Sequence, residues 1–269
     1  MENKSTQYLR DGYLVVPNFF SSELAGKLRN EILTYLSKAP NKHGVYVYPE
    51  RYLRIIDPRF YRKNPEVFFD LNLYLTFLNS LQTESLKLLI KDLSFGEIYR
   101  IDSYLSAISD KHLTKWHVDQ AYGGATDPGI YFNNNTSNIP IKNINRVFVH
   151  LTDVEVDDGC FSYLPASHKI GIAIRKLINS SIIEYTPFYE LKDGYSIVDR
   201  YYNKFIENGL LTADEIAYFL DQAVLALNGS LEYRLPCNAG SMVLFNDLGY
   251  HQGTAPLASE RLVLRYWYY

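Results

Sequence analysis

The hydrophobic pattern of the chain changes period at Gly96, and no other feature restricts its fold so much. Before Gly96 the pattern is helical. Leu24, Leu28 and Ile32 recur every fourth residue behind Ser21 and Ser22, either of which supplies an N-cap hydroxyl. Phe68, Leu71, Leu75 and Leu78 mark a second stripe within residues 65–89. One extended run, Tyr13-Leu14-Val15-Val16, precedes both and stops at Pro17. After Gly96 the runs are short and strand-like: Glu97 to Ser109, Trp116 to Asp119, Arg146 to Leu151, Cys160 to Leu164, Glu232 to Leu235, Ser241 to Phe245 and Arg261 to Trp267. Asp157-Asp158-Gly159 is a turn signal, so the strands on either side of it are expected to form a hairpin. Residues 123–144, rich in Gly, Asn, Thr, Ser and Pro, are expected to form a long loop of the kind that often carries function. Residues 170–235 are an excursion in which Thr212-Ala213-Asp214-Glu215 is a capping box opening a helix to about Leu227.

Helices followed by many short strands predict a mainly β protein with supporting helices, built as a double-stranded β-helix, the cupin-like jelly roll. With no internal repeat or low-complexity linker, residues 1–269 read as one domain. Residues 1–95 supply supporting helices, and residues 96–269 the jelly roll with a helical insertion at about 170–230.

Charge excludes some function classes. Acidic residues outnumber basic ones 30 to 27, for a formal charge of -3, so no cationic surplus points to nucleic acid or anionic lipid. The N-terminal segment is charged and lacks an apolar secretory core, and no run reaches the roughly 18 apolar residues of a membrane span. A cytoplasmic protein acting on a small molecule, without nucleic-acid or membrane partners, is the expectation; the oligomeric state is not written in the sequence. Cys160 and Cys237 lie far apart without metal-ligand spacing and are expected to be buried thiols. The 24 tyrosines suit strands and an aromatic-lined pocket alike.

The candidate chemistry starts at Trp116-His117-Val118-Asp119. Side chains alternate along a strand, so His117 and Asp119 project to one face, about 7 Å apart at the backbone. With a distant third ligand, two histidines and a carboxylate hold one face of Fe(II) and leave three positions open. His-x-Asp alone is a weak signal. The far end of the chain strengthens it: a strand from Gly240 leads to His251, a Gly/Pro loop follows, and a strand returns with Arg261 ten residues later. Arginine binds a carboxylate bidentately and stays charged.

Four motifs carry a resemblance. They are Asp11-Gly12-Tyr13-Leu14-Val15-Val16-Pro17-Asn18-Phe19, the Trp-His-x-Asp at 116–119, Asp158-Gly159-Cys160 running into Pro165-Ala166-Ser167-His168, and the strand before His251. By these the chain resembles the phytanoyl-CoA dioxygenase family of Fe(II)/2-oxoglutarate-dependent oxygenases over nearly all its length. The resemblance implies that His117, Asp119 and His251 hold Fe(II). It further implies that Arg261 grips the distal carboxylate of 2-oxoglutarate, with O2 as the other co-substrate. The sequence departs from the family at two places. Ala166 stands where the family has Gly, and the spacing from His251 to the arginine is one residue shorter than usual, which leaves Arg265, on the same strand face, as the alternative to Arg261. A carboxylate at 119 also separates the chain from related halogenases, which carry Ala or Gly there.

The remaining candidates are weaker. Thr254, near His251, is a candidate hydrogen-bond donor to the keto acid. Arg100 and Tyr104 share a strand face and either contact co-substrate or substrate or simply pack; Tyr122, Tyr131 and Phe132 either line a substrate mouth or sit on a surface loop. Arg265, if it is not the anchor, binds substrate or pairs with an acid. His168 is expected to be structural, His150 a satisfied core or rim histidine, and His43 and His112 show no sign of a role. The resemblance implies an enzyme that hydroxylates an unactivated carbon of a small molecule, such as a natural-product tailoring oxygenase. The same iron centre performing desaturation, cyclisation or epimerisation is the rival within enzymes. A non-catalytic jelly-roll binding or sensor protein is the rival outside them.

Overall fold

The computed structural model describes residues 4–38, 45–48, 50–56, 91, 93, 98–106, 108, 114–118, 145–184 and 189–268. Two antiparallel sheets form the core of the fold. The larger contains β1 (Tyr13–Val16), β2 (Val45–Tyr48), β3 (Glu50–Ile56), β4 (Ile98–Ser106), β6 (Asn145–His150), β10 (Met242–Asn246) and β12 (Arg261–Tyr268), in the order β1-β10-β6-β12-β4-β3-β2. The smaller contains β5 (His117–Val118), β7 (Phe161–Tyr163), β8 (Tyr189–Glu190), β9 (Arg234–Leu235) and β11 (His251–Gly253), in the order β8-β5-β11-β7-β9. From β4 to β7 and again from β9 to β12 the chain alternates between sheets, which is the winding of a jelly roll.

That alternation corrects one expectation. The strands flanking Asp157-Asp158-Gly159 are not a hairpin. β6 belongs to the large sheet and β7 to the small one, where β7 pairs with β11 and β9. The turn exists, with Gly159 at φ +77, but it carries the chain from one sheet to the other.

Side-chain alternation sorts each strand's residues onto two buried faces. On the outer face of the large sheet, Leu14, Val147, Val149, Met242, Leu244, Leu262, Leu264 and Tyr266 pack with Ala25, Leu28 and Ile32 of helix α2 (Ser22–Lys38) and Tyr8 of helix α1 (Lys4–Asp11). The expected cap is present, as Ser21 Oγ accepts from Leu24 N at 3.2 Å. On the outer face of the small sheet, Val118, Leu164 and Tyr250 pack with helices α3 (Ser167–Asn179), α4 (Leu191–Arg200) and α6 (Ala213–Leu227), while α5 (Tyr202–Glu207) adds Phe205. The capping box at α6 forms both ways: Thr212 Oγ1 accepts from Glu215 N at 3.2 Å, and Glu215 Oε2 accepts from Thr212 N at 3.0 Å. Between the sheets lie Val243 and Phe245 from the large one and Phe161 and Tyr163 from the small one, with the buried, free Cys160 and Cys237. The helical stripe at 65–89 and the loop at 123–144 lie outside the described residues.

Two of the sequence motifs meet in this frame. Ala166 N donates to Asp11 O at 2.7 Å, and Asn246 N donates to Gly12 O at 2.9 Å, which seats the Asp11-Gly12 turn on the Pro-Ala-Ser-His turn. Gly12 has φ +80, and a Cβ there would lie 2.3 Å from His168 Nδ1 and 2.7 Å from Tyr163 Oη. His168 thus packs against the backbone of the turn, in a structural position. Ala166 has φ +60 and ψ 0, a left-handed conformation that disfavours any side chain. Its replacement of Gly is therefore a strained one.

Candidate active site

His117 and His251 come together because β5 pairs with β11 and the register sets one directly opposite the other. Val118 and Tyr250, their strand neighbours, point out to the helices, so alternation aims both histidines inward. Both are buried, and their ring centroids are 4.5 Å apart at 52°. His117 Nδ1 lies 2.6 Å from Lys115 O, and His251 Nδ1 lies 2.9 Å from Gly249 O. A carbonyl only accepts, so each Nδ1 carries a proton and donates, which makes Nε2 the metal-binding nitrogen of each ring. Backbone carbonyls that fix the tautomer in this way are the usual support of metal-binding imidazoles. Phe245 and Phe161 wall the His251 ring at 5.3 and 5.6 Å between centroids. Asp119 lies outside the described residues, and among the described residues there is no cluster of three metal-binding side chains. The two rings fit a divalent transition metal by donor type and by spacing.

Across the interior the large sheet forms the opposite wall of a cavity of about 260 Å³, lined by His117, His251, Tyr104, Arg261 and Arg265 together with seven further residues. Arg261 opens β12 opposite Ser106 of β4 and is buried. Its Nη1 donates to Gly159 O and, at 3.3 Å, to Thr254 O; its Nη2 donates to Ser106 Oγ at 3.1 Å. Three oxygens on three different segments thus fix the plane of the guanidinium. Tyr104 lies between the two arginines, with its ring centroid 5.7 Å from Arg261 Cζ and 4.7 Å from Arg265 Cζ. Arg265 is half-buried further along the same face.

The remaining candidates fall elsewhere. The hydroxyl of Thr254 donates to Cys160 O at 2.8 Å, a bond within the fold. Arg100 pairs with Trp267 through the backbone of β4 and β12, and its side chain is not described. Tyr122 lies outside the described residues.

The cavity also contains groups that the sequence did not assign to the site: Thr114, Arg146, Phe148, His150, Phe161, Gly253 and Val263. Arg146 is ion-paired with the fully buried Asp247 at 2.7 Å. His150 is fully buried, but the expectation of a satisfied histidine is wrong, because neither ring nitrogen has a hydrogen-bond partner among the described residues. Burial, and then the nearby charge of Arg261, push its pKa down to about 3. The signal available was the alternation Arg146, Phe148, His150, which places the three on one face of β6.

A jelly roll with two histidines fixed through Nδ1 and facing a pinned arginine across its interior has the build of a non-haem iron oxygenase. The sequence pattern of phytanoyl-CoA dioxygenase (PhyH) matches residues 8–260, and the chain belongs to that family. It is an enzyme dependent on iron and 2-oxoglutarate. No curated protein matches it by sequence. Solved structures share its fold at low identity. The α-ketoglutarate-dependent carbocyclase SnoK from nogalamycin biosynthesis superposes with a TM-score of 0.58 at 16% identity, over 100% of this chain and 83% of that one. The epimerase SnoN, in complex with Fe3+, α-ketoglutarate and nogalamycin RO, gives 0.53 at 14% identity, over 98% and 81%. HygX from Streptomyces hygroscopicus, with nickel and 2-oxoglutarate bound, gives 0.54 at 16%, over 100% and 86%. Among the described residues no helix is long and apolar enough to cross a membrane.

Proposed function

We propose that the protein hydroxylates an unactivated carbon of a small molecule, as a tailoring enzyme of natural-product metabolism. The observation that carries the site is the pair of His117 and His251, locked opposite each other with Nδ1 donating to backbone carbonyls. In this reading His117, Asp119 and His251 hold Fe(II), and Arg261 holds the distal carboxylate of 2-oxoglutarate. Bound there, iron with 2-oxoglutarate and O2 supplies the oxidising chemistry. The protein's own contribution is placement. The guanidinium, its plane fixed by Gly159, Thr254 and Ser106, presents a positive charge at a set position without reorganising, and the aromatic rings of Phe148, Phe161 and Phe245 exclude water from the histidine face. Arg261 is favoured over Arg265 as the anchor by its burial and its three fixed bonds.

The substrate class is supported by neighbours of the same fold whose structures contain nogalamycin RO and hygromycin B, both small natural products. That the neighbours include a carbocyclase and an epimerase favours, as second reading, the same centre performing cyclisation or epimerisation. The chain acts as a single oxygenase domain in the cytoplasm, a setting supported by two buried thiols left free.

Anaerobic titration of the protein with Fe(II) and 2-oxoglutarate tests the reading. A weak visible charge-transfer band is expected, absent in His251→Ala, which also forms no succinate. A wild-type protein without the band refutes the iron site, and succinate formation surviving in His251→Ala refutes the ligand assignment. Product mass then separates the two reactions: hydroxylation adds an oxygen atom, whereas ring closure removes two hydrogens and epimerisation changes nothing.

A further inference from the structure

We propose that His150 is a second binding group for the distal carboxylate of 2-oxoglutarate, its neutral imidazole donating a hydrogen bond beside the ion pair made by Arg261. The proposal rests on the reading of the cavity as an iron and 2-oxoglutarate site.

β6 runs between β10 and β12, with His150 opposite Val263. Arg261 lies two residues from Val263 on the same face of β12, which makes it the diagonal neighbour of His150. Diagonal pairs across antiparallel strands are about 7–8 Å apart at the backbone, within reach of one small ligand group held between long side chains. Both residues line the cavity, and both are buried. Arg261 is close enough that its charge acts on His150.

His150 is fully buried, and neither Nδ1 nor Nε2 has a hydrogen-bond partner among the described residues. An imidazole in that state has lost its water and gained nothing in return, an arrangement that native structures rarely keep without a reason. Pure packing does not supply one, because a phenylalanine or leucine would fill the same space without an unmet polar group. The neighbouring arginine does not satisfy it either. A guanidinium has only donors, so it offers nothing to an imidazole N–H. The cavity that His150 lines is the place where a ligand supplies the partner. That partner must accept from a neutral N–H, and it must tolerate or prefer a positive charge alongside. A carboxylate does both: one oxygen accepts from the guanidinium and the other from the imidazole. A neutral histidine adds a directional bond without adding a second buried charge, so the distal end is read by shape while the product diacid, which carries the same end, is not held too tightly to leave.

Three variants and two kinds of ligand test this. His150→Phe removes the donor and keeps the bulk; His150→Leu does the same with a smaller side chain; His150→Asn restores an N–H donor. Binding is measured anaerobically in two ways: the charge-transfer band with Fe(II), and calorimetry of glutarate, which has no keto acid, on the metal-free protein. The expected result is a loss of roughly tenfold in affinity for 2-oxoglutarate and for glutarate in His150→Phe and His150→Leu, the size of one hydrogen bond to a charged group, with recovery in His150→Asn. Binding of 2-oxovalerate, a keto acid without a distal carboxylate, is expected to be unchanged in all three. Wild-type affinity for 2-oxoglutarate in His150→Phe overturns the proposal. So does an equal loss for 2-oxoglutarate and 2-oxovalerate, which marks a structural role. A wild-type protein that binds 2-oxoglutarate normally while these variants do too sinks the role of His150 alone. A wild-type protein that binds neither keto acid sinks the oxygenase reading with it.

Discussion

Replacing Gly12 with alanine separates two costs that the structure places on one atom. Gly12 sits at φ +80, and an L residue forced into the left-handed region costs about 1–2 kcal/mol. The new Cβ would also stand 2.3 Å from His168 Nδ1 and 2.7 Å from Tyr163 Oη. Neither neighbour has room to swing away. Tyr163 is fully buried and donates to Asn246 O at 3.1 Å, and His168 is buried under the turn. Overpacking of that kind adds about 1–3 kcal/mol. Alanine restricts the unfolded chain more than glycine does, which returns about 0.4–1 kcal/mol. The net expectation is a loss of about 1–4.5 kcal/mol, or a fall in Tm of about 2–18 °C at roughly 2–4 °C per kcal/mol for a chain of this size. Thermal and urea unfolding of the metal-free protein measure it. In the His168→Ala background the clash with the ring disappears while the backbone cost and the Tyr163 contact remain. Gly12→Ala should there cost about 1–2 kcal/mol less, a favourable coupling between neighbours. A Gly12→Ala protein within about 0.5 kcal/mol of wild type, or costs that simply add in the double variant, would refute the account of how these two motifs interlock.

Ala166→Gly is the mirror case: relief of the φ +60 conformation outweighs the extra entropy of glycine, so the urea midpoint should rise, by about 0.5–1 kcal/mol in stability, and a lower midpoint counts against the strain. Arg261→Gln removes the buried guanidinium and should weaken 2-oxoglutarate by about 10–100-fold while leaving Fe(II) binding intact; unchanged 2-oxoglutarate affinity would transfer the anchor to Arg265, tested by Arg265→Gln. Stability should fall on mild acidification. Burial pushes the pKa of His150 to about 3 and of His168 to about 4, from 6.5 for the exposed group. Both stay neutral in the folded protein while the unfolded chain takes up protons, so this stability is present in full above pH 6.5 and is lost as pH falls from there toward the folded values. The slope approaches about 1.4 kcal/mol per pH unit for each histidine. Urea midpoints at pH 7, 6 and 5 measure it, and a His150→Asn, His168→Asn double variant with an undiminished slope would show that other groups are responsible.

The residues legible in the sequence are those whose signal is local. The capping box at Thr212 and Glu215 forms as its spacing requires, and the Ser21 cap and the stripe of Leu28 and Ile32 are where the period puts them. The pairing of strands is not local. The turn at Asp158-Gly159 says that the chain bends but not which sheet it enters, and β7 finds its partners β11 and β9 only after the whole helical excursion has intervened. Thr254 shows the same limit at a single atom, since the acceptor that takes its proton, Cys160 O, lies 94 positions away.

His150 was hidden for a different reason. Period-two alternation tells which residues share a face, and in RVFVHL it divides Arg146, Phe148 and His150 from Val147, Val149 and Leu151. The usual next step assigns the apolar face to the interior and the polar face to solvent. That step fails here because β6 is buried on both sides. Val147, Val149 and Leu151 meet the N-terminal helices, and Phe148 and His150 meet the space between the sheets. In a sheet sandwiched by helices on one side and a second sheet on the other, the purely apolar face marks packing alone. The face that mixes aromatic and ionisable residues is the one turned toward the site. The same rule holds on β12, where Leu262, Leu264 and Tyr266 face the helices while Arg261, Val263 and Arg265 face the cavity. Two neighbouring strands that each carry a polar set at period two within an otherwise apolar run therefore locate the functional wall of such a fold before any metal-binding motif is considered.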